Sequence, residues 1–261
     1  MSENSTIFHK SIVVVAHPDD EILWLSSILN EVDHIIFCFL EYPPDTSLGK
    51  GRRGAISEYP FANISCLNIT EAESFNGANW SQPIENEYGL RITSNKAAAQ
   101  RYADNYNVLH KMLTESLKGF HNVFTHNPWG EYGHEDHVQV YRAIKDLQKK
   151  YGFNLWFTNY CGNRSYKLML KYISGFNNNY YTFHANIDLA TKIANLYKQY
   201  KCWTWYGNYQ WFKEECLIND AELTNDKEEF GHIFPINFIK TNIPEKSGIL
   251  KQLFNRARLK R

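Results

Sequence analysis

The chain has 261 residues, and its 28 lysines and arginines balance 28 aspartates and glutamates, which excludes a nucleic-acid-binding role for the chain as a whole. Hydrophobic residues make up 43% of it, enough for one α/β domain with a sizeable core. No run approaches the ~20 consecutive apolar residues of a membrane helix, residues 1–10 lack an apolar signal region, and the five cysteines form no CxxC pair, so a cytoplasmic protein with reduced thiols is expected.

The first element is a valine-rich run over residues 11–16, consistent with a strand buried on both faces. Residues 21–31 read as a helix, with Ile22, Leu25, Ile28 and Leu29 on one face. A second strand spans 35–40, a Pro/Gly-rich loop 41–53 and a third strand 64–69. Residues 70–88 are irregular and long enough to suggest function. Helical spacing of Ala98, Tyr102, Tyr106, Leu109 and Leu113 marks a helix over 93–117. A fourth strand follows at 122–125, a helix at 137–150, a fifth strand at 155–158 and a further helix at 188–200. Strands alternating with helices predict a Rossmann-like α/β fold, a mostly parallel sheet with helices on both faces. A core over 1–160, a continuation of the same domain over 161–245 without readable topology, and a basic tail over 246–261 are expected.

Two clusters stand where strands end. Ala16-His17-Pro18-Asp19-Asp20-Glu21 follows the first strand, and Gly133-His134-Glu135-Asp136-His137 comes soon after the fourth. Open α/β sheets bind ligands outside the carboxyl ends of their strands, and a divalent metal is the simplest reason to join two groups of histidine and carboxylate. Zinc hydrolysis needs three protein ligands and an open position, a carboxylate to take a proton from water, and a donor to steady an oxyanion. Adjacent carboxylates in a turn usually point different ways, so one of Asp19 and Asp20 can ligate while the other faces the substrate. His134 and His137 are three apart and can share one side. Both could ligate, or one could ligate while the other acts as acid. His126 ends the fourth strand close by, whereas the remaining histidines read as surface or core residues. The aromatic cluster Trp203, Trp205, Tyr206, Tyr209, Trp211 and Phe212 reads as packing or as a stacking wall for a sugar ring.

The first cluster, together with Thr125-His126-Asn127-Pro128-Trp129-Gly130-Glu131-Tyr132 leading into the second, resembles the two signatures of the LmbE-like (PIG-L) deacetylases. That family includes N-acetylglucosaminyl-phosphatidylinositol de-N-acetylase and the mycothiol-pathway deacetylase. The resemblance covers about the first 160 residues. It implies a metal, usually zinc (Zn2+) with ferrous iron (Fe2+) as the alternative, held by His17, Asp20 and His137. It implies Asp19 as general base, His134 as general acid or oxyanion-stabilising group, and Tyr132 as a phenol that polarises the amide carbonyl. Family members often carry an arginine after the second strand that contacts the sugar or its phosphate. Arg53 is the expected counterpart here, although Glu58 lies further from Arg52 and Arg53 than the usual arginine–glutamate spacing.

The expected activity is metal-dependent removal of an N-acetyl group from an amino sugar in a glycoconjugate or glycan precursor. An amidase on a larger N-acyl or thiol conjugate is the rival from the same chemistry, and a non-catalytic glycan-binding protein the rival from another class. The tail carries six basic residues and no acidic ones, so weak contact with an anionic membrane surface or a phosphorylated carrier is expected of it.

Overall fold

The computed structural model describes residues 6–175, 179–221 and 234–243. Strand β1 (Ser11–Val15) is buried along its whole length. Its alternate side chains serve two cores: Ile12 and Val14 pack on one face of the sheet, Val13 and Val15 on the other. After β1 come α1 (Asp20–Trp24), β2 (His34–Glu41), α2 (Thr46–Ser57) and β3 (Ile64–Thr70). A short hairpin, β4 (Glu85–Asn86) with β5 (Gly89–Leu90), precedes α3 (Lys96–Ser116), β6 (Asn122–Thr125), α4 (Glu135–Tyr151) and β7 (Asn154–Thr158). The chain continues through β8 (Tyr160–Gly162), α5 (Tyr166–Tyr172), β9 (Tyr180–His184), α6 (Ile187–Gln199), β10 (Glu214–Asn219) and β11 (Asn237–Ile239).

The central sheet has seven strands in the order β3-β2-β1-β6-β7-β10-β9. The first five are parallel, and β10 and β9 add an antiparallel edge. The chain moves outward from β1 through β2 to β3, then returns along α3 to β6 on the other side of β1. Beyond the carboxyl ends of β1 and β6 this reversal opens the crevice in which such sheets bind ligands. The expected mostly parallel α/β architecture is therefore present. The irregular third of the chain, whose topology the sequence left unread, supplies the antiparallel edge. The basic tail at 246–261 lies outside the described residues. Among the described residues no helix is long and apolar enough to cross a membrane.

Two expectations are corrected. The helix expected over 21–31 stops at Trp24. Glu215 on β10 accepts from Ser26 Oγ at 2.8 Å and from Ser27 N at 2.9 Å, which removes the donor that would extend the helix. The Pro/Gly-rich loop expected over 41–53 is largely helix α2, capped by the Asp45 side chain accepting from Ser47 N. Its glycines serve packing rather than a turn: a Cβ at Gly54 would fall 2.3 Å from the Tyr200 ring. Close approach to the end of α6 outweighs the ~1 kcal/mol that glycine costs in a helix.

Candidate metal centre

The turn after β1 sets the first half of the site. Asp19 sits at φ 116°, a strained conformation for a residue with a Cβ and one that recurs at functional sites. The kink sends the neighbouring carboxylates apart. Asp20 turns inward: its Oδ2 accepts from His17 N at 2.7 Å and its Oδ1 from Trp24 Nε1 at 3.0 Å. Asp19 turns the other way, where Oδ2 accepts from Thr204 Oγ1 at 2.6 Å and from Thr204 N at 3.2 Å. Glu21 takes neither direction. It is buried beneath the turn, accepting from Asp19 N and from the hydroxyls of Tyr59 and Tyr197.

The loop from β6 to α4 sets the second half. Gly130 has φ 68°, and a Cβ there would meet His134 O at 2.6 Å, so only glycine fits the turn. His134 caps α4, its Nδ1 accepting from Asp136 N at 3.1 Å. That acceptor role leaves the proton of a neutral ring on Nε2. Burial, with His137 and His17 alongside, holds His134 well below the usual imidazole range, so the ring is neutral. Phe75, His134, His137 and His126 stack in sequence, with centroid separations of 4.7, 4.7 and 3.9 Å.

Glu131 orients two of these rings. Its Oε2 lies 2.7 Å from His137 Nδ1 and 3.1 Å from His126 Nδ1, while Oε1 accepts from Asn127 N and Thr158 Oγ1. His126 Nε2 is already engaged, accepting from Ala16 N at 2.8 Å. With Nδ1–H pointing to Glu131, His137 presents its Nε2 lone pair 3.2 Å from Asp20 Oδ1, buried and without a hydrogen-bond partner.

Three buried groups among the described residues have ligand atoms close enough together to hold one cation: His17–Asp20–His137, His17–His134–Asp136 and His126–Glu131–His137. The last spends His126 Nε2 and both Glu131 oxygens on hydrogen bonds. In the second, Asp136 Oδ1 accepts from Ser74 Oγ at 2.6 Å and His134 Nδ1 is the helix cap. Of the three, only the first sets the unpartnered Nε2 of His137 beside a carboxylate oxygen, Asp20 Oδ1 at 3.2 Å. Two imidazoles and a carboxylate suit zinc or ferrous iron. The charge balance agrees. Burial pulls His17 down, but Glu71, Asp136 and Asp20 outweigh it and raise the ring to about 10. For His137, Asp20 and Glu131 overcome burial and raise it to about 9. Burial opposes ionisation of Asp20, yet the facing histidines hold it well below the usual carboxylate range. Such negative charge calls for protons or a cation.

A cavity of about 410 Å3 opens over this centre, and His17, Asp19, Asp20, Tyr132 and His134 all line it. Asp19 is pushed up to about 6, first by burial and then by the charge of Asp20, against the Thr204 hydrogen bond. Tyr132 stands edge-on to His137 at 5.5 Å, and burial together with Asp20 and Asp19 keeps its phenol protonated. The structure thus gathers six of the seven residues singled out from the sequence. Arg53 is the exception: its side chain is half-exposed and paired with Glu41, away from the cavity. Arg52 lines the cavity instead, with Nη1 donating to Glu71 Oε1 at 2.6 Å and to Leu40 O. Consecutive helical residues point about 100° apart, so once 46–57 is a helix only one of the two arginines can face inward.

Sequence reasoning gave no role to Glu131, Asp136, Glu71 or Thr204. Asp136 Oδ2 lies 3.3 Å from His17 Nε2 and braces that ring. Glu71 directly follows β3, and the strand-end rule that picked out His17 applies to it equally. Nothing in the local sequence marks Thr204.

No family model matches the sequence, and no curated protein matches it. Among solved structures, the zinc-inhibited form of teicoplanin deacetylase Orf2 superposes with a TM-score of 0.51 at 9% identity, covering 83% of this chain and 100% of that one. A deacetylase–teicoplanin complex from the teicoplanin biosynthesis pathway follows, with a TM-score of 0.48, 10% identity, and 81% and 99% coverage. The A40926 pseudoaglycone deacetylase Dbv21 gives 0.47, 11%, 80% and 96%. At such identities the likeness to Orf2 is one of fold: this chain has the α/β architecture on which that deacetylase is built.

Proposed function

We propose that this protein is a divalent-metal-dependent hydrolase that removes the N-acetyl group from an amino sugar in a glycoconjugate or glycan precursor. The observation that carries the proposal is the placement of Asp19. It is a carboxylate buried beside the His17–Asp20–His137 set, turned away from it, and held at the cavity with a raised pKa. The resemblance of both motif blocks to the LmbE-like deacetylases supports the same reading.

A divalent cation, zinc or ferrous iron, held by His17, Asp20 and His137 would supply Lewis acidity at the cavity floor, lowering the pKa of water there. Asp19 accepts a proton as water adds to the amide carbon. His134, neutral and with its proton on Nε2, donates a hydrogen bond to the carbonyl oxygen as negative charge develops there. The helix cap at Nδ1 favours this role over proton donation, because losing the Nε2 proton would leave an imidazolate. The Tyr132 phenol is a second donor at the same wall. Asp19 then returns its proton to the nitrogen as the C–N bond breaks, giving a free amine and acetate. Sugar hydroxyls fall to Arg52 and Glu71 at the cavity, in place of Arg53.

The test is metal content per chain, with acetate release from N-acetylhexosamines followed on the same sample. About one metal per chain with acetate released would support the reading. Metal without acetate would point to a larger conjugate or another acyl group. Failure to retain metal after reconstitution would remove the mechanism and favour a glycan-binding protein.

A further inference from the structure

We infer that the occupant of the cavity is an uncharged amino-sugar glycoside whose aglycone is a flat apolar group, seated against Phe75, rather than a phosphate-bearing sugar. This rests on the deacetylase reading and narrows its substrate class.

The first observation is charge. Among the described residues the cavity lining carries three carboxylates, Asp19, Asp20 and Glu71, and one cationic side chain, Arg52. Its charge is matched by Glu71, which Nη1 meets at 2.6 Å, while Nε has no hydrogen-bond partner. Arg53 turns out to Glu41, and Arg164, over the Phe75 ring, pairs with Glu135. A divalent cation at the floor balances the remaining negative charge and leaves none for a phosphate. Among the described residues a diphosphate would lie against three carboxylates and meet one guanidinium, Arg52, whose charge Glu71 already matches.

The second observation is shape and surface. One side of the cavity is a continuous aromatic arc. Phe75 stacks on His134; His134 meets Tyr132 edge-on at 5.9 Å; Tyr132 meets Trp205 at 4.7 Å; and Trp205 meets Tyr206 at 5.2 Å. Phe75 and Tyr206 are 37% and 39% exposed, so the arc continues to the mouth of the cavity. Apolar rings presented to an opening mark a ligand with an apolar face.

The third observation is that Phe75 is held in place. The buried Glu135 carboxylate accepts from the backbone of Asn76 at 3.2 Å and of Ala78 at 2.9 Å, and from Trp80 Nε1 at 2.9 Å. Arg164 pairs with Glu135, bonds the Asn76 side chain, and lays its guanidinium over the rings of Phe75 at 5.4 Å and Trp80 at 5.0 Å. The segment after β3 is thereby pinned to the start of α4, and Phe75 is fixed against His134 before any ligand arrives.

Binding is measured by calorimetry on the metal-loaded full chain carrying Asp19→Asn to stop turnover. The probes are 4-nitrophenyl N-acetyl-β-glucosaminide, its methyl counterpart and uridine diphosphate N-acetylglucosamine. The aryl glycoside is expected to bind about fivefold to tenfold more tightly than the methyl glycoside, and the diphosphate no more tightly than the methyl. Adding Phe75→Ala should erase the aryl advantage, and Phe75→Tyr should keep it. Equal affinity for aryl and methyl glycosides, or tightest binding of the diphosphate, would overturn the inference. Acetate release by the wild-type chain separates the two readings. The aryl preference without acetate from any probe keeps this inference and moves the reaction to a larger conjugate or another acyl group. Acetate with the diphosphate preferred keeps the deacetylase and removes this inference.

Discussion

Replacing Glu131 by glutamine tests whether one buried carboxylate both stabilises the fold and aims a metal ligand. Four donors converge on it: Asn127 N and Thr158 Oγ1 on one oxygen, the Nδ1 atoms of His126 and His137 on the other. Glutamine turns one end into a donor. Placed toward the histidines, its NH2 meets two N–H groups and forces His137 to move its proton to Nε2, closing the lone pair that faces Asp20. Placed toward Asn127, it meets a backbone N–H that cannot change. Burial opposes ionisation of Glu131, yet His126 and His137 outweigh it and hold the carboxyl near 2, against an ordinary 4.5. A depression of that size contributes on the order of 3 kcal/mol at neutral pH. With the buried donors left facing a donor, the variant is expected to lose about 3–5 kcal/mol.

Because the folded carboxyl titrates below the unfolded one, this stability is fully present above about 4.5 and is lost as pH falls toward 2. Urea unfolding of the metal-free wild type and variant should therefore show a gap that is widest near pH 7 and narrows on acidification. Calorimetric titration should show metal affinity reduced about 10–100-fold. A gap under about 1 kcal/mol at pH 7, or one constant with pH, together with unchanged metal affinity, would refute the role given to Glu131.

Other outcomes follow from the same geometry. His137→Ala should abolish metal retention, measured as metal per chain after dialysis; retention at the wild-type level would remove His137 from the ligand set. Asp19→Asn should keep the metal and lower kcat about 100-fold or more, and near-wild-type turnover would assign the base elsewhere. The base acts as carboxylate, so kcat/KM of the wild type should rise with pH through an apparent value at or below about 6, a bound cation lowering it further. That ascending limb should vanish from the residual activity of Asp19→Asn. Gly54→Ala places a methyl 2.3 Å from the Tyr200 ring, and thermal or urea unfolding should register a loss of about 1–3 kcal/mol.

What the sequence determined by itself is local in origin. The valine run of β1, the helical spacing of α3 and the strand-end position of His17 and of Asp19–Glu21 all follow from side-chain period and chain direction, which neighbouring residues carry. The two histidine–carboxylate blocks could be placed at one end of a parallel sheet for the same reason. What only the tertiary structure decided depends on partners far along the chain. Helix α1 ends after Trp24 because Glu215, 189 residues beyond Ser26, takes its next donors. Asp19 is steadied by Thr204, 185 residues away, which no motif marks. Gly49 and Gly51 read as a loop until Glu41 and the end of α6 are seen pressing against them, and that packing turns Arg52 inward and Arg53 out. Periodicity states which face of an element is apolar. It does not state what stands against that face, so the choice between two adjacent arginines, or between a helix and a glycine-rich loop, is made by the contact itself.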